Sequence, residues 1–393
     1  MKQQTKRLLK SLCMAVGVVL LSAVDPLAGY ATERTIDIKH LGEGQSIVRV
    51  DAQAKYLLPE SKLYMIVDND VVRTFNVRLA VNKVDYFVPV DLSGYADKHI
   101  SFNFQLAPES ALCWKEMKLS DQFDSSNREK FRPAYHFSPA WGWMNDPNGM
   151  VYKDGEYHLF YQYNPYGSMW GNMHWGHAIS KDLIHWEHQP VAIAPDALGT
   201  IFSGSCVVDK DNTAGFGAGA IVAFYTSASD RQVQSMAYSL DNGRTFKKYD
   251  RNPILTSTQR DFRDPKVFWH KESNKWIMVL AVGQEMQLYS SPNLKDWTYE
   301  SSFGEGQGAH AGVWECPDLI ELPVKGTELK KWVLICNINP GGPFGGSATQ
   351  YFVGTFDGKQ FVNESPALTK WMDYGKDHYA TVTWSNAPED RKI

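Results

Sequence analysis

The stretch Asp146-Pro-Asn-Gly-Met-Val-Tyr152, followed after a short gap by Glu156-Tyr-His-Leu-Phe-Tyr161, decides the fold. It has a polar start, a hydrophobic strand, a turn and a second, aromatic-rich strand. The pattern starts again, at spacings of 57, 61, 51 and 58 residues, at Ser203, Asp264, Glu315 and Asp373. Short strands recurring at this period are typical of a β-propeller, and five units predict five blades. A large β-sandwich with evenly spaced hairpins is the competing interpretation.

A different pattern precedes the repeat, in residues 32–119. Apolar side chains there alternate with polar ones in two runs: Phe75, Val77, Leu79 and Val81, then Ile100, Phe102, Phe104 and Leu106. Alternation with period two buries one face of a strand, so this region is predicted to be a small β-sandwich-like domain. The polar residues 120–131 are predicted to be a linker, and residues 132–393 the propeller. Its fifth blade is expected to be incomplete at the C-terminus, because the chain stops soon after the fifth start.

The composition limits the class of protein. Of 393 residues, 43% are apolar and 13% aromatic, which argues against disorder. The formal charge of −4 does not indicate nucleic-acid binding. Residues 1–31 resemble an export signal, because a basic head precedes an apolar run, Cys13 to Val24, that is too short to cross a bilayer. Cleavage after Ala31 would change the charge to −7, and we expect an exported protein, periplasmic or secreted. Disulfide pairing stays open among the four remaining cysteines, Cys113, Cys206, Cys316 and Cys336.

Three of the five unit starts are acidic: Asp146, Asp264 and Glu315. The first strand of each propeller blade lines the central channel, so residues that open those strands converge on one funnel. Hydrolysis of a glycosidic bond needs paired carboxylates in a concave site, one as nucleophile or base and one as proton donor. Each motif alone also has a structural interpretation, because Asn-Asp-Pro-Asn-Gly is a good turn and Arg263-Asp264 a plausible local ion pair. Their joint occurrence favours a catalytic site, which requires no metal and no cofactor.

The motifs Trp143-Met-Asn-Asp-Pro-Asn-Gly149, Arg263-Asp-Pro265 and Glu315-Cys316 resemble the three signature motifs of glycoside hydrolase family 32, which contains invertases, levanases and inulinases. The resemblance covers roughly residues 132–393, and the preceding segment resembles an N-terminal β-domain of some bacterial members. It implies a five-bladed propeller that cleaves β-fructofuranosides with retention of configuration.

The resemblance also implies roles for individual residues. Asp146 corresponds to the nucleophile, Glu315 to the acid/base, and Asp264 to the transition-state stabiliser, which Arg263 would orient. The positions that match the lining of the first sugar pocket are Asn145, Gln162, Trp170, Phe202 and Ser203.

Three carboxylates in one funnel repel one another. This repulsion, together with partial desolvation, raises the pKa of the group that has the least support from cations and donors. We predict that this group is Glu315, because Arg263 adjoins Asp264 and the turn at residues 145–149 can donate backbone N–H groups near Asp146.

Two other functions stay open at this point. Another five-bladed glycosidase, an arabinanase or arabinofuranosidase, also gathers three acids, although the motifs around Asp146 and Glu315 disfavour it. A non-catalytic fructan-binding propeller would be expected to have lost some of the acids. Levan, inulin, fructo-oligosaccharides and sucrose are all candidate substrates. Export favours an exo-acting fructan β-fructosidase over an enzyme that meets sucrose alone.

Overall fold

The computed structural model describes residues 61–122 and 132–393, with the backbone of residues 30–31, 34–38 and 47–52. Strands dominate, and the described part contains one short α-helix, α1 (Cys113–Glu116), and two 3-10 turns (Ser93–Tyr95 and Pro388–Asp390). The predicted all-β class is therefore confirmed. No helix within these ranges is long and apolar enough to span a bilayer. Residues 1–29 of the predicted export signal and most of the predicted linker lie outside the described residues.

Nine strands form the N-terminal part of the molecule. They are, as β1 to β9, Tyr30–Ala31, Arg34–Ile38, Ile47–Ala52, Ser61–Val67, Asp70–Val77, Tyr86–Asp91, Ile100–Gln105, Ala107–Pro108 and Lys118–Ser120. One sheet has the order β2-β7-β4-β5 and another the order β6-β3-β9, while β1 pairs with β8. Leu63 and Phe102 of the first sheet share a buried core with Val88 of the second. The predicted β-sandwich is confirmed.

The predicted alternation is only partly correct. Phe75, Val77 and Leu79 are buried, but Leu106 is 39% exposed. The reason is that β7 ends at Gln105 and Leu106 turns the chain with a φ of +57°. The predicted cleavage position, after Ala31, coincides with the end of β1, so a cut there would remove the short pair with β8.

Four antiparallel sheets follow, each a meander of consecutive strands. In chain order they are β10–β13 (Trp143–Lys153, Glu156–Asn164, His174–Ser180, Trp186–Ile193), β14–β18 (Thr200–Asp209, Ala220–Ala228, Gln232–Ser239, Lys247–Lys248, Leu255–Thr256), β19–β22 (Arg263–His270, Lys275–Val282, Glu285–Ser291, Thr298–Phe303) and β23–β27 (Val313–Pro323, Lys330–Asn339, Ala348–Phe356, Phe361–Asn363, Lys370–Trp371).

The sheets are arranged as propeller blades. Their first strands, β10, β14, β19 and β23, lie side by side in that order. The third sheet is covered on both faces by its neighbours. On its strand β20, Met278 packs towards the second sheet and Val279 towards the fourth. This double burial explains the continuous apolar run of β20, because a strand with both faces covered has no wet side.

The fifth unit adds an extended segment and no further sheet among the described residues. Ser385 forms a parallel bridge with Val151 of the first sheet. On the other side, Thr381 N–H donates to Asn337 Oδ1 of the fourth sheet at 3.0 Å. Residues 379–386 thus occupy the position of an innermost strand between the fourth and first blades. This agrees with the predicted incomplete fifth blade.

The N-terminal sheets and the first blade are joined by paired amides. Asn172 accepts a hydrogen bond from Asn76 N–H and donates one to the Asn76 carbonyl, each at 2.9 Å. Tyr166 of the same connection packs on Phe75, with ring centroids 4.7 Å apart, and belongs to the N-terminal core. The connection between β11 and β12 therefore contacts both parts of the chain.

A buried ion pair holds the fifth-unit segment in place. Lys266 Nζ lies 2.9 Å from Asp318 Oδ2, and the two side chains are 7% and 0% exposed. The same carboxylate oxygen accepts hydrogen bonds from Thr383 N–H at 2.6 Å and from its hydroxyl at 2.7 Å. Lys266 also donates to the Thr383 carbonyl at 2.8 Å.

We predict that Asp318→Ala lowers the free energy of unfolding by about 3–5 kcal/mol, because it leaves the Lys266 ammonium buried without its counter-ion. The matched control is Glu321→Ala, which breaks the exposed pair with Lys330 on the same strand and is expected to cost less than about 1 kcal/mol. Urea unfolding measures both. Equal effects of the two variants would contradict the role of the buried pair.

Candidate active site

The first strand of each of the four propeller blades carries a β-bulge near its start. The register shifts between Met144 and Pro147, Ile201 and Gly204, Arg263 and Lys266, and Glu315 and Asp318. A bulge leaves a residue outside the ladder and redirects its side chain. Pro147, Pro265 and Pro317 stand in or beside three of these bulges, where a missing N–H costs no ladder hydrogen bond. The prolines of the three sequence motifs thus have a structural reason.

Two of the bulged residues have left-handed backbones. Asp264 has a φ of +62° and Cys316 a φ of +45°, values that are uncommon for residues with a side chain. Hydrogen bonds hold both conformations. Cys316 N–H donates to Asp264 Oδ2 at 2.9 Å, and Asp264 N–H donates to Thr226 Oγ1 at 3.1 Å. The third and fourth blades are therefore linked at the site itself.

The structure brings the three sequence-predicted acids together around Cys316. Its Sγ lies 3.5 Å from Asp146 Oδ2 and 3.6 Å from Asp264 Oδ2, so both carboxylates contact the same thiol. Arg263 Nε lies 3.1 Å from Glu315 Oε1 and 4.0 Å from Asp264 Oδ2. All three carboxylates thus stand at the same end of the inner strands.

Asp146 is held by hydroxyl and amide donors. Ser203 Oγ donates to Asp146 Oδ2 at 2.6 Å, and Asn145 Nδ2 donates to Asp146 Oδ1 at 3.4 Å. The Asn145 side chain is itself oriented by Trp143, whose Nε1 donates to Asn145 Oδ1 at 3.1 Å. Three residues predicted from the first and second unit starts are therefore in mutual contact.

Glu315 is fixed from two sides. Arg263 Nε donates to one carboxylate oxygen, and the Tyr379 hydroxyl donates to the other. Arg263 is anchored in turn by Asp261, whose Oδ1 accepts from Nη1 at 2.6 Å. That Arg263 orients Asp264 stays a prediction: its Nε lies 4.0 Å from Asp264 Oδ2, while its hydrogen bond goes to Glu315.

The carboxylate with the raised pKa is Asp264. Burial raises its pKa to about 7, with further repulsion from Glu315 and Asp146, against the opposing effects of Arg263 and the Cys316 N–H. The sequence pointed to Glu315 instead and did not single out Asp264. Arg263 is next to Asp264 in sequence, but its hydrogen bonds go to Glu315 and Asp261. Asp264 itself is only 5% exposed.

The Cys316 thiol sits between two acids and is 4% exposed. Burial, followed by repulsion from the three carboxylates, raises the pKa of this thiol well above its ordinary value. It therefore stays protonated and can donate to Asp146 or Asp264. Cys206, Cys316 and Cys336 are all buried and reduced.

The remaining predicted pocket residues differ in how much solvent they meet. Trp170 is 60% exposed and meets Phe202 edge to face, with centroids 6.0 Å apart. Gln162 is 3% exposed, and its Nε2 donates to the Ile201 carbonyl at 3.0 Å. The aromatic pair thus presents apolar surface to solvent, while the amide supports the bulged strand β14.

Sequence reasoning missed several residues that contact the acids. Nothing in the sequence singled out Tyr379, and Cys316 was not predicted to contact the acids. Asp261 could have been suspected, because it stands two residues before Arg263 with an opposite charge. Thr226 gave no signal, since it lies within an ordinary apolar strand, β15. In the part of the chain that the structure describes, no cluster of three or more His, Cys, Asp or Glu could hold a metal.

Comparison with known proteins matches two regions of the chain. Residues 136–393 match the model of the glycosyl hydrolases family 32 N-terminal domain, and residues 42–135 match a domain of unknown function, DUF4980. A levanase of Bacillus subtilis (strain 168) is 58% identical over 277 residues, covering 68% of this chain and 41% of that protein. An extracellular exo-inulinase of Aspergillus awamori is 45% identical over 320 residues, covering 71% and 59% respectively.

A solved structure agrees. The fructofuranosidase from Schwanniomyces occidentalis complexed with fructose is 47% identical, with a TM-score of 0.63, over 67% of this chain and 54% of that one. The chain spans about half the length of the relatives it matches. Because the family model covers more than half of the residues and includes all three acids, the chain belongs to glycoside hydrolase family 32.

Proposed function

We propose that this protein is an exo-acting fructan β-fructosidase, which removes terminal β-D-fructofuranosyl residues by double displacement. The observation that carries the proposal is the grouping of Asp146, Asp264 and Glu315 around Cys316 at one end of the inner strands. Levanases and exo-inulinases among the relatives support the substrate class.

In the first step Asp146 attacks the anomeric carbon of the terminal fructosyl unit. The bond to the leaving oxygen breaks with its electron pair, and Glu315 protonates that oxygen. The donors from Ser203 and Asn145 keep the Asp146 carboxylate in one orientation. The product of this step is a covalent fructosyl ester of Asp146.

In the second step Glu315, now a carboxylate, removes a proton from water, which attacks the same carbon and releases Asp146. Arg263 and Tyr379 hold the Glu315 carboxylate in place during both steps. Burial raises the pKa of the Tyr379 phenol far above its ordinary value, so the phenol remains a donor. Asp264 would accept hydrogen bonds from ring hydroxyls as positive charge develops.

The organisation of the chain is part of the proposal. Residues 1–31 would direct export, residues 32–119 form the N-terminal domain, residues 120–131 link it to the rest, and residues 132–393 catalyse. The extracellular exo-inulinases support export. Asn145, Gln162, Trp170, Phe202 and Ser203 would line the pocket for the terminal sugar.

Glu315→Gln is expected to lower kcat on levan, inulin and sucrose by about 10²–10⁴-fold, because their sugar leaving groups need a proton. Activity on β-fructosyl fluoride should fall far less, since fluoride leaves without one. Steady-state kinetics on both substrate types measure the contrast. The control is Glu305→Gln, an exposed glutamate before β23, which should leave both unchanged. Full activity of Glu315→Gln on sucrose would overturn the assignment.

Incubation with levan or inulin is expected to release fructose alone from the earliest times, because a terminal unit must enter the pocket first. Chromatography of time points gives the product profile. A ladder of oligosaccharides would show endo attack instead, and release of arabinose from arabinan without fructose from fructan would establish the arabinanase function. Binding of fructan without release of any product would establish the alternative function, a non-catalytic fructan-binding propeller.

Asp264→Asn is expected to change how stability depends on pH. The folded pKa of Asp264 is about 7 and its ordinary value 3.8, so between these values the unfolded chain ionises while the folded chain keeps its proton. The wild type should therefore lose stability as pH rises through this window, and the variant should lose less. The difference is at most on the order of 4 kcal/mol.

Urea unfolding between pH 4 and pH 8 (roughly the range in which this carboxyl titrates) measures the effect of Asp264→Asn. The control is Asp230→Asn, on an exposed turn, which should run parallel to the wild type. Parallel curves for Asp264→Asn would refute the raised pKa.

A further inference from the structure

A second cavity lies where the N-terminal sheets meet the first two blades. It has a volume of about 250 Å³. Cavities for drug-sized ligands are about 300–1,000 Å³, so this one suits a single sugar ring and excludes an oligosaccharide. Its walls come from β5 and β6, from β12 and the end of β13, and from β17, and include Arg73, Asp91, His174, Asp196 and Lys248.

His174 supplies the observation that points to a ligand. The side chain is 1% exposed, and its Nε2 has no hydrogen-bond partner in the described structure. Its Nδ1 contacts the Asn172 carbonyl, an acceptor, so Nδ1 carries the proton. Burial lowers the pKa of His174 to about 3, and the ring is neutral. Nε2 is therefore a buried acceptor that needs a donor.

The charges around the cavity balance. Lys248 Nζ donates to Asp196 Oδ2 at 2.7 Å and to the Ala194 carbonyl at 2.5 Å, and Arg73 Nη1 reaches the Asp91 carbonyl at 3.5 Å. The lining thus contains two cationic and two acidic residues. An anion would meet Asp91 and Asp196, and a cation would meet Arg73 and Lys248, so the lining favours an uncharged ligand.

Aromatic rings complete the lining: Tyr95 on the N-terminal side, Tyr166 on the connection between β11 and β12, and Phe246 beside β17. Apolar ring surfaces next to mixed donors and acceptors suit a molecule with C–H faces and hydroxyl edges. A hydroxyl can donate to His174 Nε2 and accept from Arg73 or Lys248, which a purely accepting ligand cannot do.

We propose that this cavity is a non-catalytic binding site for one neutral hexose unit, and that the N-terminal domain serves to complete it. The identification of the hexose as fructose rests on the proposed function. The existence of the binding site does not depend on that function. His174 opens β12, directly after the connection that contains Trp170 and is held by Asn172.

The test is a calorimetric titration of the full chain with fructose, with glucose and with inorganic phosphate. The wild type should bind two equivalents of fructose, one in each site. Ala194→Trp, which fills the cavity, should bind one and keep kcat/KM for sucrose within about two-fold. Arg73→Met, a milder change, should weaken the second equivalent at least about ten-fold, as expected for loss of a charge-assisted hydrogen bond.

One equivalent of fructose in a wild type that binds no glucose, or two in a folded and active Ala194→Trp chain, would overturn the proposal. Phosphate binding that Arg73→Met abolishes would also overturn it, in favour of an anion site. Glucose binding without fructose binding would keep a hexose site and refute the fructosyl identity. A chain that cleaves no fructan but loses one fructose equivalent in Ala194→Trp would refute the proposed function and leave this site standing.

Discussion

The site depends on the bulges in the innermost strands. A regular inner strand would point its first residues alternately into neighbouring blades, and the acids of different blades would not meet. The bulges turn Asp146, Asp264 and Cys316 into one space, and the prolines beside them end the ladder where this must happen. The sheets supply the rigidity, because strands such as β20, next to the innermost strand β19, are covered on both faces.

Grouping three carboxylates in a buried space is electrostatically costly, and the structure distributes the cost unevenly. Asp146 and Glu315 each receive hydroxyl donors, and Glu315 also receives the guanidinium of Arg263. Asp264 is left with one backbone N–H, one thiol and an arginine 4.0 Å away, and its pKa rises to about 7. A sugar hydroxyl that donates to Asp264 would relieve part of this cost, which links substrate binding to its protonation state.

Much of this architecture could be predicted from the sequence. The repeat of polar start and paired strands predicted the blades, and acids at three unit starts predicted their meeting, because position in a repeat translates directly into position around an axis. The partner of Arg263 could not be predicted, since the guanidinium is long enough to pass its neighbour in sequence and reach Glu315. Tyr379 and the cavity around His174 also escaped prediction, because both are formed by segments distant in sequence.

The most direct test of the central claim is the identity of the residue that bonds to the sugar. Glu315→Gln should react with β-fructosyl fluoride and then hydrolyse the ester slowly, because it lacks the base for the second step. Acid quenching, peptic digestion and mass spectrometry should locate one fructosyl residue on the peptide that contains Asp146. Modification at Asp264, or no covalent adduct together with an inverted product by NMR, would contradict the account.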